Sequence, residues 1–284
     1  MPNPPYRYMQ PTLGLIYLTF RELWTKKIVL GLFIISSLIL MMVAFALNLD
    51  VVDGSLAGLR LFGQTPDGPV EGLSLEQLVF GIESAVAGAT YWIGILLALF
   101  ATAPLSVSLL ERGHIDLLLS KPIGRTPLLL SHIAGVWVAV SVLALYLMGG
   151  VWLILSIKTG VWHLPFLLSI GLVVLMFGVM YGVVALMGVW TESTALALIV
   201  SYGLIFASIV LAASDAILDT LGMVGSTAFV ALYHIMPNFA EVSGLAARLA
   251  RAESATDWYP LFSAVAFGAV AYGLALWIFN RRDF

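Results

Sequence analysis

Glu111, Arg112, Asp116, Lys121 and Arg125 place five charged side chains, with His114 among them, in a fifteen-residue stretch flanked by long apolar runs. Carboxylates and cations at this density could make charge-assisted contacts with a partner or simply face water. Residues 111–120 have helical character. Ile115, Leu118 and Leu119 fall at i, i+3 and i+4 as an apolar stripe, and Glu111, Arg112, His114 and Asp116 supply the polar remainder. Pro122 disfavours helix at Lys121 and ends the element, after which Gly124 and Arg125 lead into the next run. A short helix with an apolar stripe and a polar rim fits a groove on a soluble partner. It fits lipid headgroups equally well, and physical reasoning alone leaves both open.

Elsewhere the residue types argue against catalysis. The four lysines, Lys26, Lys27, Lys121 and Lys158, all lack the preceding glycine of a phosphate-binding loop, and neither HExxH nor GxSxG occurs. There are no cysteines, so disulfides and thiolate metal sites are excluded. His132 falls near the start of one apolar run, and His163 and His234 near the ends of others, so none is expected to serve a proton relay at mid-membrane. The ten methionines could ligate Cu(I), but methionine is a common packing residue in apolar interiors. No catalytic residue and no metal ligand is assigned. If the chain does vectorial work, its energy has to come from a partner.

The elements that position the charged stretch are membrane spans. The chain is 61% hydrophobic and 10% charged, where soluble domains carry roughly 25% charged residues. Uncharged runs of about 18 residues or more mark spanning helices, and they give six spans, at 28–49, 84–110, 126–157, 164–191, 193–214 and 258–280. The expected fold is an all-α polytopic membrane protein, one transmembrane domain over residues 1–284. The start, MPNPPYRYMQP, lacks the apolar core and cleavage site of a signal peptide, so the first span is expected to insert and stay. With both termini in the cytoplasm, nine Lys and Arg fall inside and four outside, the positive-inside bias, while five acidic residues fall inside and eleven outside. Residues 111–125 then form a cytoplasmic loop.

Residues 11–27 read as an interfacial helix, with Leu13, Ile16, Tyr17, Phe20 and Trp24 on one face and Lys26 and Lys27 at its end. The segments 50–83 and 215–257 are expected outside. In the first, Ser74-Leu-Glu-Gln77 is a capping box that starts a helix leading into the second span. In the second, Thr220–Met236 is uncharged, but Asp219, Gly222, Gly225, Ser226 and Pro237 argue for an external or re-entrant helix in place of a seventh span. Beyond Pro237, Asn238-Phe-Ala-Glu241 offers a further cap. The third span begins with a 31-residue uncharged stretch, Thr126–Ser156, about 46 Å as helix. The hydrocarbon core is about 30 Å thick, so this helix must tilt or protrude near His132. Gly178 and Gly182 form a GxxxG that permits close helix approach.

Read as a whole, ERGHIDLLLSKPIGRTPLLLSHIAG resembles the signature between the second and third spans of ABC-2 type exporter permeases, closest to the branch that includes the nitrous-oxide-reductase and multicopper enzyme maturation permeases. The resemblance rests on Glu111, Gly113, Asp116, Leu117-Leu118-Leu119, Ser120-Lys121-Pro122 and Arg125, supported by Tyr233-His-Ile-Met-Pro-Asn-Phe239 before the last span. His114 departs from it, since the pattern more often has Thr or Ser there. The resemblance implies that 111–125 is a coupling helix seated in a separate ATPase subunit that binds ATP and Mg. Glu111, Arg112 and Asp116 would make polar contacts there, Leu118 and Leu119 would anchor it, and Gly113, His114, Lys121, Pro122 and Arg125 would complete the interface. It further implies an exporter built as a homodimer or paralogue heterodimer in the inner membrane, in contact with lipid and with no nucleic acid. Two other classes stay open: a secondary transporter, disfavoured by the uncharged spans, and a scaffold or mechanotransmitter that acts on an extracytoplasmic protein. The cargo is not readable.

Overall fold

The structure, a computed structural model, describes Gly14 and residues 27–52, 55–61, 74–110, 124–213, 223–254 and 257–282. Its helices are α1 (Ile28–Ala46), α2 (Leu75–Ser108), α3 (Arg125–Thr159), α4 (Pro165–Thr191), α5 (Thr194–Ala212), α6 (Met223–Ile235), α7 (Phe239–Ala250) and α8 (Tyr259–Arg281). Five of these, α2, α3, α4, α5 and α8, are long and apolar enough to cross a membrane, while α1 is a shorter apolar helix. The chain is a multi-pass membrane protein. The interfacial helix expected over 11–27 and the coupling segment 111–123 lie outside the described residues, apart from Gly14 and Lys27.

α4 is the axis of the bundle. It is apolar all round, which is the pattern of a helix surrounded by protein. In its most apolar window 72% is buried, against 28–39% for the other four long helices. α8, α5, α2, α7 and α3 pack around it. Tyr181, Phe177, Met176, Met180 and Val184 of α4 meet Tyr91, Leu99 and Leu105 of α2 in one continuous core. The outside of the bundle is apolar too: Phe100, Ile157, Ile199, Phe206, Phe262 and Val270 are all more than 60% exposed. Apolar side chains outside as well as inside are what lipid as solvent demands. Hydroxyls within the helices bond back to carbonyls one turn earlier, Thr102 to Ala98, Ser131 to Pro127, Ser141 to Trp137 and Ser201 to Ala197, so no hydroxyl is left facing hydrocarbon unpaired at these positions.

Several boundaries differ from those the sequence suggests. The Ser74 capping box forms, with Gln77 N–H donating to Ser74 Oγ and Ser74 N–H to Gln77 Oε1, each at 3.2 Å. The helix it starts runs unbroken to Ser108, so Glu83, expected in the external segment, sits inside α2. α3 has 35 residues, about 52 Å of helix, well beyond the hydrocarbon thickness. α2 and α3 each contain a wide π turn, Thr90–Gly94 and Leu145–Gly149, which the hydrophobic pattern did not announce. α6 has 13 residues, about 20 Å, too short to span. Asn238 precedes α7 as expected, but its side chain does not cap the helix; it donates to Ser263 Oγ of α8 at 3.4 Å. Between α1 and α2 the chain forms an antiparallel hairpin, β1 (Leu47–Val52) with β2 (Ser55–Leu61), whose strands flank the turn-favouring Asp53-Gly54. Apart from this hairpin every described element is helical.

Candidate functional site: two polar ends of an apolar bundle

At one end of the bundle three connections meet: the start of α3, the α4–α5 turn and the end of α8. The last residues of any helix leave carbonyl groups without intrahelical donors, and cations suit them because of the helix dipole. Two arginines fill this role. Arg125 Nη1 donates to Asn280 O at 3.2 Å and to Arg282 O at 2.7 Å, which closes the end of α8 from the first residue of α3. Arg282 in turn donates through Nη1 to Val189 O near the end of α4, and through Nη2 pairs with Glu192 Oε1 on the turn that follows. Asn280 Nδ2 adds a bond to Thr126 Oγ1 at 2.9 Å. Arg281 stacks over Trp277, 4.4 Å from the ring centre.

The α4–α5 turn is two residues long. Glu192 takes a left-handed conformation (φ 53°) with its N–H bonded to Gly188 O, and Ser193 Oγ accepts from Leu196 N–H at 3.4 Å to begin α5. The turn thus keeps α4 and α5 close where Arg282 grips them. Gly124, extended at φ −65° and ψ 154°, delivers Arg125 from the 111–123 segment. Of the ten residues expected at a coupling interface, Arg125 is the one described. Glu111, Arg112, Gly113, His114, Asp116, Leu118, Leu119, Lys121 and Pro122 lie outside the described residues.

Gly178 and Gly182 lie on α4 where two neighbouring helices approach. The Trp137 ring of α3 occupies the space a Cβ at Gly178 would need, and the Tyr272 ring of α8 lies 3.1–3.3 Å from a Cβ placed at Gly182. Tyr272 Oη donates to Gly178 O at 2.6 Å. The two glycines therefore seat one aromatic side chain from each neighbour.

The opposite end carries charge that the pattern of uncharged runs concealed. Glu83, fully buried in α2, lies with Oε2 2.5 Å from His163 Nδ1 in the α3–α4 turn. Phe80 packs on the imidazole at 4.5 Å, and Trp152 Nε1 donates to the His163 carbonyl at 3.0 Å. Burial lowers the proton affinity of His163. A buried pair of this kind is favoured only when net neutral. Glu83 Oε1 and His163 Nε2 are buried with no hydrogen-bond partner. No local pattern announces this pair: eighty positions separate the partners.

Nearby, the Tyr233–Phe239 segment is a junction. Tyr91 Oη of α2 donates to Phe239 O at 2.6 Å while the Tyr91 and Phe239 rings meet at 4.7 Å. Tyr233 Oη donates to Glu241 Oε2 at 2.8 Å, and Tyr259 Oη lies 3.3 Å from His234 Nδ1. Burial first, then the Glu241 hydrogen bond and the charges of Glu241, Tyr259 and Asp257, hold the Tyr233 phenol well above its ordinary value.

Among the described residues no three of His, Asp and Glu gather as metal ligands. The arrangement suits transmission of movement: one end is cross-tied by arginines, the other by tyrosines, and a single buried helix runs between. No protein-family model matches the chain, and no curated protein matches it.

Proposed function

We propose that this chain is the membrane subunit of an ABC-2 type ATP-driven exporter, moved by a separate ATPase subunit that binds ATP and Mg and receives the 111–125 segment. The observation that carries this reading is the position of Arg125. It is the last residue of the motif the chain shares with that family, and its guanidinium holds the end of α8, which holds the α4–α5 turn through Arg282. A force on the loop would pass to α3, α8 and α4 together. ATP binding can drive such a movement only if the ATPase states differ in affinity for the two bundle conformations. In this reading α1 is a sixth span, the arginine end faces the cytoplasm in line with the positive-inside bias, and two copies, or one copy and a paralogue, enclose the path.

A second reading, a mechanotransmitter acting on an extracytoplasmic protein, draws on the far end. There α7 packs on α2, α4 and α5, beside α6 with Val230, Leu232 and Ile235 exposed. Movement of the bundle would reach that surface directly.

The test is co-expression with the ATPase encoded beside the gene. Wild type is expected to purify as a complex and Glu111→Ala/Asp116→Arg to lose it. Failure of the wild type to bind any ATPase, or transport that persists without one, would overturn the proposal.

A further inference from the structure

α7 is amphipathic. Phe239, Val242, Ala246 and Leu249 are buried against the bundle, whereas Glu241, Gly244 and Arg248 fall at i, i+3 and i+7 on another face. That face, with Tyr233 of α6 and with Asp257 and Pro260 at the start of α8, lines a polar cleft of about 350 Å³. Each carboxylate in it is oriented by the protein through one oxygen: Glu241 Oε2 accepts from Tyr233 Oη at 2.8 Å, and Asp257 Oδ1 accepts from Tyr259 N–H at 2.9 Å. Both carboxylates line the one cleft.

Arg248 lines the cleft with them, yet among the described residues it forms no ion pair with either, so its guanidinium lies more than 4 Å from both carboxylates. The surface pair Arg251–Glu253, at 3.2 Å, shows that side chains of this segment do pair when within reach. Separated opposite charges across a concave site are complementary to a ligand that is itself dipolar, with a cation at one end and an anion at the other. The depth of the site indicates where such a ligand comes from. α8 enters the membrane here, with Trp258 and Tyr259 part exposed and Phe262, one turn on, 69% exposed. Trp and Tyr at the mouth of a span mark the headgroup layer.

We propose that this cleft binds the aminoethyl-phosphate headgroup of a zwitterionic phospholipid, its ammonium against Glu241 and Asp257 and its phosphate against Arg248. A primary ammonium offers N–H donors to carboxylates that a trimethylammonium lacks, and a guanidinium matches a phosphate in shape and charge. The site is therefore selective for phosphatidylethanolamine over phosphatidylcholine and phosphatidylglycerol. This inference does not depend on the exporter reading.

The test is native mass spectrometry of the full chain in detergent, titrated in turn with these three lipids and with soluble phosphoethanolamine. Two variants serve. Arg248→Gln removes the phosphate partner, and Gly244→Leu fills the cleft from a position where an added Cβ meets nothing within 4 Å; the melting temperature of each variant checks that the fold is kept. Phosphatidylethanolamine is expected to be retained above the other two lipids, Arg248→Gln to weaken its retention about tenfold, the effect of losing one charge-assisted contact, and Gly244→Leu to weaken it by blocking the cleft. Soluble phosphoethanolamine that competes with the lipid supports the headgroup as the recognised part. Retention of soluble phosphoethanolamine without the lipid overturns the lipid assignment. Equal retention of all three lipids, or retention unchanged in Gly244→Leu, overturns the site.

Discussion

Arg125 reaches across from the first residue of α3 to the main-chain oxygen of Arg282, 2.7 Å away, so the beginning of one long helix closes the end of another. Because Arg282 spends its own guanidinium on Val189 and Glu192, the two arginines act in series. Arg125→Ala is expected to lower stability by about 1–3 kcal/mol, the range for hydrogen bonds from a charged donor. Arg125→Lys should recover only part, since both bonds come from Nη1 and the lysine side chain ends one atom short of that nitrogen's reach. Thermal unfolding in detergent measures both; an unchanged melting temperature for Arg125→Ala would mean the tie is idle.

The glycine face of α4 gives a sharper contrast. Gly178→Ala puts a methyl where the Trp137 ring lies and is expected to cost about 1–3 kcal/mol by overpacking. Gly171→Ala and Gly203→Ala, where an added Cβ meets nothing within 4 Å, should be neutral or slightly stabilising. Combining Gly178→Ala with Trp137→Leu should restore much of the loss. Equal melting temperatures for all three alanine variants would contradict this packing.

Glu83 and His163 should behave as a unit. Removing either leaves the other buried without its hydrogen-bond partner, an effect of about 1–3 kcal/mol, whereas replacing both with apolar residues is far milder. His163→Ala and Glu83→Ala are expected to be severe, and Glu83→Met/His163→Leu to recover most of the stability. Additive losses across this double-mutant cycle would show the two to be independent.

Tyr233 supplies a pH dependence. Its phenol is held above the ordinary value of 10.0 in the folded chain, chiefly by burial. Above that value the folded state keeps a proton that the unfolded state releases, so stability falls as the pH rises from about 10 toward the raised value. The difference in melting temperature between wild type and Tyr233→Phe, followed from pH 8 to 11, should shift against the wild type above pH 10. A constant difference would place the phenol in an ordinary setting.

What could be read from the sequence depended on how local the cause was. The long apolar helices follow from uncharged runs, and the Ser74–Gln77 box starts α2 where it was expected, because both partners sit within one turn. Glu83 ended the uncharged run by its charge, but its partner is His163, a residue no window around it contains. The wide turns at Thr90 and Leu145 left no trace in an apolar pattern that tolerates either register. At the candidate site the motif was visible, but the grip of Arg125 on α8 was not, since Asn280 and Arg282 lie more than 150 positions away. The contacts of Arg281 and Arg282 with Trp277, Val189 and Glu192 likewise needed the fold.

We propose that an ATPase works this bundle through the 111–125 loop. The most direct measurement is ATP turnover by the complex reconstituted in nanodiscs, wild type against Glu111→Ala/Asp116→Arg. The account predicts that the wild-type chain stimulates turnover and that the variant abolishes the stimulation. A variant that assembles and turns over ATP like wild type would contradict it, and would leave those charges as a solvated face.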